Sequence, residues 1–389
     1  MKNFDVVIAG CGPAGSAAAH VLCSAGMKVA LIDKCVFPRD KLCGGLLSTR
    51  ARSVFEGIFG NAWGPAIESE TYGVRFFGRN GLLNSVGSSY PLYQTSRFTF
   101  DAYLLELAAK KGPEMVHGAS VASVDRERNQ VILKNGTVFR SDFIIGADGV
   151  TSRVRSSLFP GPFDKNAHAL CLQTEVPRDW VRERKSLPEI YFGFVRWGYA
   201  WVFPKKDSLN IGMGGSYSVN REMKQLFTDF FRHVVGRDPQ HIKGHYISFG
   251  NYLKTPGRGN ILLTGDAAGL MDPLTGEGIS FALLSGRFAA ESILQAAQRG
   301  VPGKAYDFYK SRYYSIVRFF SPAKLMRYFV FPRFSEARLL KALPRAAVLF
   351  ENYLALLAGQ TSYYGFARTA VHWMMKDIFQ RSGSLRPLW

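Results

Sequence analysis

The feature that most constrains this chain is its first 33 residues. Phe4 to Ala9 (FDVVIA) is a short β-branched run of the kind that forms a buried parallel strand. Gly10-Cys11-Gly12-Pro13-Ala14-Gly15 follows, then a small-residue helix over Ser16 to Gly26, then a second apolar strand, KVALID, ending in Asp33. Strand, GxGxxG, helix, strand and acid stand in the order a dinucleotide fold requires. Gly10 makes the tight turn, Gly12 lets the backbone approach a pyrophosphate, and Gly15 lets helix and strand pack closely. The helix start offers free N–H groups and positive dipole to phosphates. Asp33, 18 residues after Gly15, is within reach of ribose hydroxyls. This segment binds FAD or NAD and does not choose between them.

Two later segments bear on that choice. Phe143 to Arg155 (FIIGADGVTSRVR) is a strand ending at Asp148-Gly149. Ile261 to Gly278 (ILLTGDAAGLMDPLTGEG) is a strand ending at Gly265-Asp266, followed by Pro273 and a Gly276-Glu277-Gly278 turn into a helix from Ile279. Taken together and in this order, the three segments resemble the FAD fingerprints of the para-hydroxybenzoate hydroxylase-like flavoproteins, over roughly residues 1–300. The resemblance implies that Asp266 bonds the ribityl chain and that Pro273, Gly276, Gly278 and Ile279 present backbone N–H groups and a helix start to the flavin edge. Arg97, in TSRFTFDAYL, matches the family's arginine near the flavin phosphates; the alternative is a surface arginine at a helix start. Asp148 and Gly149 would support the cofactor from the other side, and Lys34, Val121 and Gly265 complete the implied contacts. No second GxGxxG with a preceding strand is present. A nicotinamide donor therefore has no Rossmann domain of its own, and NAD(P)H and reduced ferredoxin both stay open as electron donors.

Two further segments narrow the reaction. Phe37 to Gly45 reads FPRDKLCGG, and Gly198 to Gly214 reads GYAWVFPKKDSLNIGMG. They resemble the PxxKxCGG and YxWxFP hallmarks of the geranylgeranyl reductase family, at Pro38, Lys41, Cys43, Gly44 and Gly45 and at Tyr199, Trp201, Phe203 and Pro204. The resemblance implies hydride transfer from reduced FAD to one carbon of an isolated alkene, with a proton reaching the other. Cys43, Gly44 and Gly45 would lie beside the flavin, the two glycines allowing close backbone approach, and no general acid is assigned. Arg39 and Lys41 would contact a pyrophosphate or stand as solvated loop charges. As a strand, Tyr199, Trp201 and Phe203 put three rings on one face, an aromatic wall suited to a polyprenyl chain or an ordinary sheet core. Lone histidines such as His168 and His245 read as structural.

The expected fold is α/β. A Rossmann-type FAD-binding domain spans 1–75, 96–165 and 250–300, and a mixed-sheet substrate domain spans 76–95 and 166–249. A helical C-terminal region spans 301–389. In that last region, Tyr306 to Phe350 mixes aromatics with arginines and lysines and is broken by Pro322, Pro332 and Pro344, which predicts short amphipathic helices.

Charge adds one constraint. The chain carries 49 Lys+Arg against 30 Asp+Glu, a net +19, and ten of those positive charges fall after residue 302. This is a solvated basic face or an attraction to anionic lipid or a diphosphate; no nucleic-acid motif accompanies it. The stretch from Ala346 to Gly359 is interrupted by Glu351 and Asn352 and is too short to span a bilayer. Five cysteines without a CxxC pair argue against a disulfide framework or metal module and for a reduced, cytoplasmic setting, with peripheral contact at the inner face of a membrane as the sharper reading. No metal is expected.

The function these features predict is saturation of double bonds in an isoprenoid or lipid substrate, with an electron-donor protein as a partner if ferredoxin serves. The rivals are a flavin-dependent monooxygenase or halogenase, in which reduced FAD meets oxygen, and a quinone-linked electron carrier. A cluster-bearing carrier is excluded because no cysteine follows Cys171.

Overall fold

The computed structural model describes residues 2–181, 186–331 and 346–382. Two sheets organise them. At the centre of the first lies Lys2–Ala9, pairing in parallel with Val29–Ile32 on one side and Val138–Gly146 on the other. Glu114–Val116 extends the sheet beyond Val29–Ile32, and Ile261–Leu263 extends it beyond Val138–Gly146, both in parallel. Val6, Val7, Ile8 and Ala9 are fully buried, as strands covered on both faces must be. The chain lays Val29–Ile32 and then Glu114–Val116 on one side of Lys2–Ala9 before it returns to place Val138–Gly146 on the other. The carboxyl ends of Lys2–Ala9 and Val138–Gly146 therefore flank a crevice at a topological switch point, where open α/β sheets bind ligands.

The helices are α1 (Pro13–Ser24), α2 (Thr49–Phe59), α3 (Arg97–Ala109), α4 (Arg153–Leu158), α5 (Met223–Val235), α6 (Ile279–Gln298), α7 (Ala305–Val330), α8 (Ala347–Leu357) and α9 (Tyr363–Ser382). Helix α1 crosses α6 so closely that a Cβ on Gly286 would fall 2.1 Å from the Ala14 carbonyl oxygen. That contact draws the starts of both helices toward the crevice.

The second sheet runs Lys243–Ser248, His168–Pro177, Ser208–Ser216, Gly198–Pro204, Glu189–Tyr191, Ser69–Gly78, Gly81–Gln94, Leu46–Leu47. It is antiparallel except where Glu189–Tyr191 runs parallel to Ser69–Gly78. The boundary expected after residue 75 falls inside Ser69–Gly78, because that strand pairs with Gly81–Gln94 on both sides of the boundary. One face of the sheet is closed by α5, whose Met223, Phe227, Phe230 and Phe231 pack on Val202, Ile211 and Met213. The other face, bearing Trp201 and Phe203, turns toward the crevice and is covered by Phe350 and Leu354 of α8.

The C-terminal region corrects one expectation. Pro322 does not break the chain: α7 runs 26 residues straight through it. A missing backbone donor costs on the order of 3 kcal/mol. Packing outweighs it, since Phe320 and Ala323 on either side are fully buried and the Tyr309 and Tyr313 hydroxyls donate to the Leu263 and Leu253 carbonyls at 2.5 and 2.8 Å. Pro332 and Pro344 lie outside the described residues. No described helix is long and apolar enough to cross a membrane.

Candidate active site

Two connected cavities fill the crevice, with volumes of about 550 and 240 Å³. Gly12, Lys41, Leu42, Ala147, Gly149 and His245 line both and form the waist between them.

Gly10, Gly12, Asp33, Lys34, Arg39, Lys41, Val121, Asp148 and Gly149 line the outer cavity. Gly10 has φ +104°, and a Cβ there would sit 2.3 Å from the Ala147 carbonyl oxygen, so the turn requires glycine. A Cβ on Gly15 would lie 1.8 Å from the Gly10 carbonyl oxygen. At Gly12 the nearest atom would be Arg39 Nη2 at 3.8 Å, which leaves bare backbone facing the cavity. No side chain caps the start of α1, so its first N–H groups remain available to a ligand. Both oxygens of Asp33 are already in use: Oδ2 accepts from Cys11 N at 2.7 Å and Oδ1 from Cys35 N at 2.8 Å. The acid therefore shapes the loop as well as facing the ligand space. Asp148 likewise staples its own loop, accepting from Ser152 Oγ and from the Arg153 and Val154 N–H groups.

The inner cavity is lined by Pro13, Ala14, Lys41, Cys43, Gly44, Gly45, Arg97, Gly265, Asp266, Gly276, Gly278 and Ile279. Tyr199, Trp201 and Phe203 line it from the second sheet. Neighbouring rings of that trio are 6.1 and 6.0 Å apart. The wall is locked in place: Trp201 Nε1 donates to Asn210 Oδ1 at 2.8 Å and the Tyr199 hydroxyl to the Thr275 carbonyl at 2.6 Å. Gly44 serves the wall directly, because a Cβ there would approach Phe203 to 2.8 Å. Gly45, at φ +79°, would drive a Cβ to 1.9 Å from the Thr95 carbonyl oxygen. The two glycines are thus required by protein packing, whatever approaches their open side. Pro204 and Pro273 are buried outside both cavities, Pro204 by strand alternation and Pro273 by packing on Gly250.

Arg97 is not a surface residue. It is buried at the start of α3, with Nε and Nη2 donating to the two oxygens of Asp101 at 2.6 and 2.7 Å. Arg39 Nη2 lies 2.7 Å from the same carboxylate. Burial opposes charge on both sides of this cluster, and the mutual attraction prevails: the Asp101 carboxyl is held below the usual range and the Arg97 guanidinium stays charged. One aspartate thus holds two arginines, Arg39 lining the outer cavity and Arg97 the inner one, and Arg39 Nη1 is buried without a hydrogen-bond partner. An unpartnered buried guanidinium nitrogen beside bare glycine backbone and an uncapped helix start is the donor set a pyrophosphate takes up. The residues present fit FAD.

Residues 3–176 match the family described as FAD binding domain. The chain is 31% identical over 359 residues to the menaquinone reductase of Mycobacterium tuberculosis, covering 85% of each. It is 29% identical over 340 residues to digeranylgeranylglycerophospholipid reductase 1 of Methanococcoides burtonii, covering 80% of each. The chain belongs to the geranylgeranyl reductase family of FAD-dependent oxidoreductases. A geranylgeranyl bacteriochlorophyll reductase-like protein from Thermoplasma acidophilum shares its fold, with a TM-score of 0.75 at 24% identity over 95% of this chain and 96% of that one. A protein of Pseudomonas aeruginosa described as a probable FAD-dependent monooxygenase, a flavin-dependent brominase and a halogenase share the fold at 17–20% identity, which carries the fold alone.

Several residues of this geranylgeranyl reductase family site had no clear sequence signal. Asp101 was legible only as the i+4 partner of Arg97. His245 reads as structural in sequence, yet it lies at the waist between the cavities. Burial there, reinforced by Lys41, pushes its imidazole down to about 4, so it is neutral near pH 7. Glu277, inside the glycine turn, accepts from Ser48 Oγ at 2.6 Å, Ser280 Oγ at 2.9 Å and Arg50 Nη1 at 3.0 Å. Tyr353 and Leu357 close the inner cavity from about 80 residues beyond the last fingerprint.

Proposed function

We propose that this protein is an FAD-dependent reductase of carbon–carbon double bonds in an isoprenoid. The observation that carries the reading is the inner cavity. It continues the cofactor crevice into a chamber walled by Tyr199, Trp201, Phe203, Val74, Leu92 and Ile190. A polyprenyl chain offers only shape and apolar area for recognition, and such a wall matches both.

Bound FAD, once reduced by its electron donor, would supply the hydride. The chain's own residues do the rest. The uncapped starts of α1 and α6 and the Arg39–Asp101–Arg97 cluster bind and orient the cofactor, while Asp266 and Lys41, 3.4 Å apart, stand between the chamber and the waist. The aromatic wall aligns the alkene and excludes water, which matters because an isolated double bond has no polar group to activate. The same reading gives a purpose to the exposed Leu325, Tyr328 and Phe329 on α7, beside Arg318 and Lys324: an apolar and basic strip suited to an anionic membrane surface that holds the substrate.

The test is anaerobic. The yellow protein is reduced with dithionite, geranylgeranyl diphosphate is added, and flavin absorbance is followed. The reading expects oxidised flavin to return with a product heavier by two hydrogens per turnover. No reoxidation until oxygen is admitted, with an oxygenated or halogenated product, would replace it with the monooxygenase or halogenase reading.

A further inference from the structure

The long apolar stretch near the C-terminus forms α8, and both of its sides are occupied. Phe350 stacks on Phe76 of the second sheet at 4.1 Å, while Tyr353 and Leu357 face the inner cavity. On the far side, Leu356 packs with Leu274, Ala323 and Tyr363. Glu351 and Val348 stay exposed on the remaining face, so the buried apolar residues of α8 are divided between two surfaces.

Two buried polar connections join this helix and the first residue of α9 to the loop 272–278, which leads into α6. The first is Tyr363, 1% exposed, whose hydroxyl lies 2.7 Å from each oxygen of Asp272. Asp272 Oδ1 in turn accepts from the Leu274 and Thr275 N–H groups at 2.9 and 3.0 Å, so one carboxylate holds both the loop and the tyrosine. The second is Arg50 of α2. Its Nη1 donates to Glu277 Oε2 at 3.0 Å, its Nη2 donates to the Leu356 carbonyl, and its guanidinium lies 4.7 Å from the centre of the Phe319 ring. The loop also carries the Thr275 carbonyl that receives Tyr199. Roof, aromatic wall and loop therefore meet at the same few peptides.

We propose that α8 is the roof of the chamber and that Tyr363 and Arg50 are positioning residues that seat it on the loop 272–278, so that the chamber closes only over a correctly formed loop. Removing one connection loosens both partners: the roof loses its seat, and the loop loses a constraint at the flavin edge. The inference rests on the cofactor site and not on the substrate assigned above.

Hydrogen exchange by mass spectrometry on the FAD-loaded full chain tests it, with the visible circular dichroism of the flavin as the second readout. Tyr363→Phe deletes only the hydroxyl; Arg50→Lys retains a charge for Glu277 and drops the arm to Leu356. In each, exchange should accelerate about tenfold in both 272–278 and 347–357, with the strand 2–9 unchanged. The flavin dichroism should change in both variants. Asp272→Asn, which still accepts from Tyr363, should stay closer to wild type than Tyr363→Phe. Acceleration confined to 347–357 with unaltered flavin dichroism would overturn the coupling. Acceleration shared by the strand 2–9 would make these residues general stabilisers and overturn it equally.

Discussion

Gly212→Ala is the sharpest probe of the aromatic wall. A Cβ at residue 212 would lie 2.2 Å from Trp201 Cζ2 and 2.4 Å from Cε2. Ordinary contact begins near ~3.4 Å, so the indole must retreat by roughly 1 Å. It cannot do so freely, because Nε1 is bonded to Asn210 and the Gly44 backbone lies against the same edge. Overpacking of this kind costs about 1–3 kcal/mol, and losing the indole donor leaves a buried Asn210 oxygen unpaired at about 1–3 kcal/mol more. The total, about 2–6 kcal/mol, should lower Tm by about 2–7 °C on the usual entropy scaling for a chain of 389 residues. Gly214→Ala is the matched control, since its Cβ would press on Cys171 Sγ at 2.7 Å but stay 3.8 Å from Trp201. Calorimetry and anaerobic reoxidation by geranylgeranyl diphosphate are read on both variants at full FAD occupancy. Gly212→Ala should slow reoxidation at least tenfold and Gly214→Ala much less. Equal reoxidation rates in the two variants would refute the claim that Trp201 guides the substrate.

Three further outcomes are expected. Asp101→Asn leaves two guanidinium groups facing each other in a buried site; it should cost about 3–5 kcal/mol in urea unfolding and weaken FAD retention on dilution. The His245 imidazole titrates near 4 in the fold and near 6.5 in the unfolded chain, so below pH 6.5 the unfolded state binds more protons. Stability should therefore fall as pH drops from about 6.5 toward 4, and His245→Gln should flatten that part of a Tm–pH curve. Trp201→Ala should slow prenyl-dependent flavin reoxidation while leaving FAD bound; unchanged turnover would remove the wall's role.

The FAD half of this protein was legible because its constraints are local. A tight turn at Gly10, a close backbone at Gly15 and an acid after the second strand are demands made within one βαβ unit, and each selects a residue type at a set spacing. The alternation of Tyr199, Trp201 and Phe203 is equally local, since a strand has a period of two whatever it packs against. Arg97 could be found in the sequence but not placed: buried guanidinium and solvated surface charge read alike until Asp101 and Arg39 are seen around it. Pro322 misled for the converse reason, because its local penalty is fixed while the compensating burial of α7 is tertiary. Gly44 and Gly45 were expected to let the backbone approach the flavin; the groups seen against them in the fold are the Phe203 ring and the Thr95 carbonyl. The roof was beyond sequence reasoning altogether. Whether an apolar helix at 347–357 lies on a membrane, in a core or over a cavity depends on which surfaces are left uncovered. That was decided only when two sheets, one loop and a tyrosine from the C-terminal region came together.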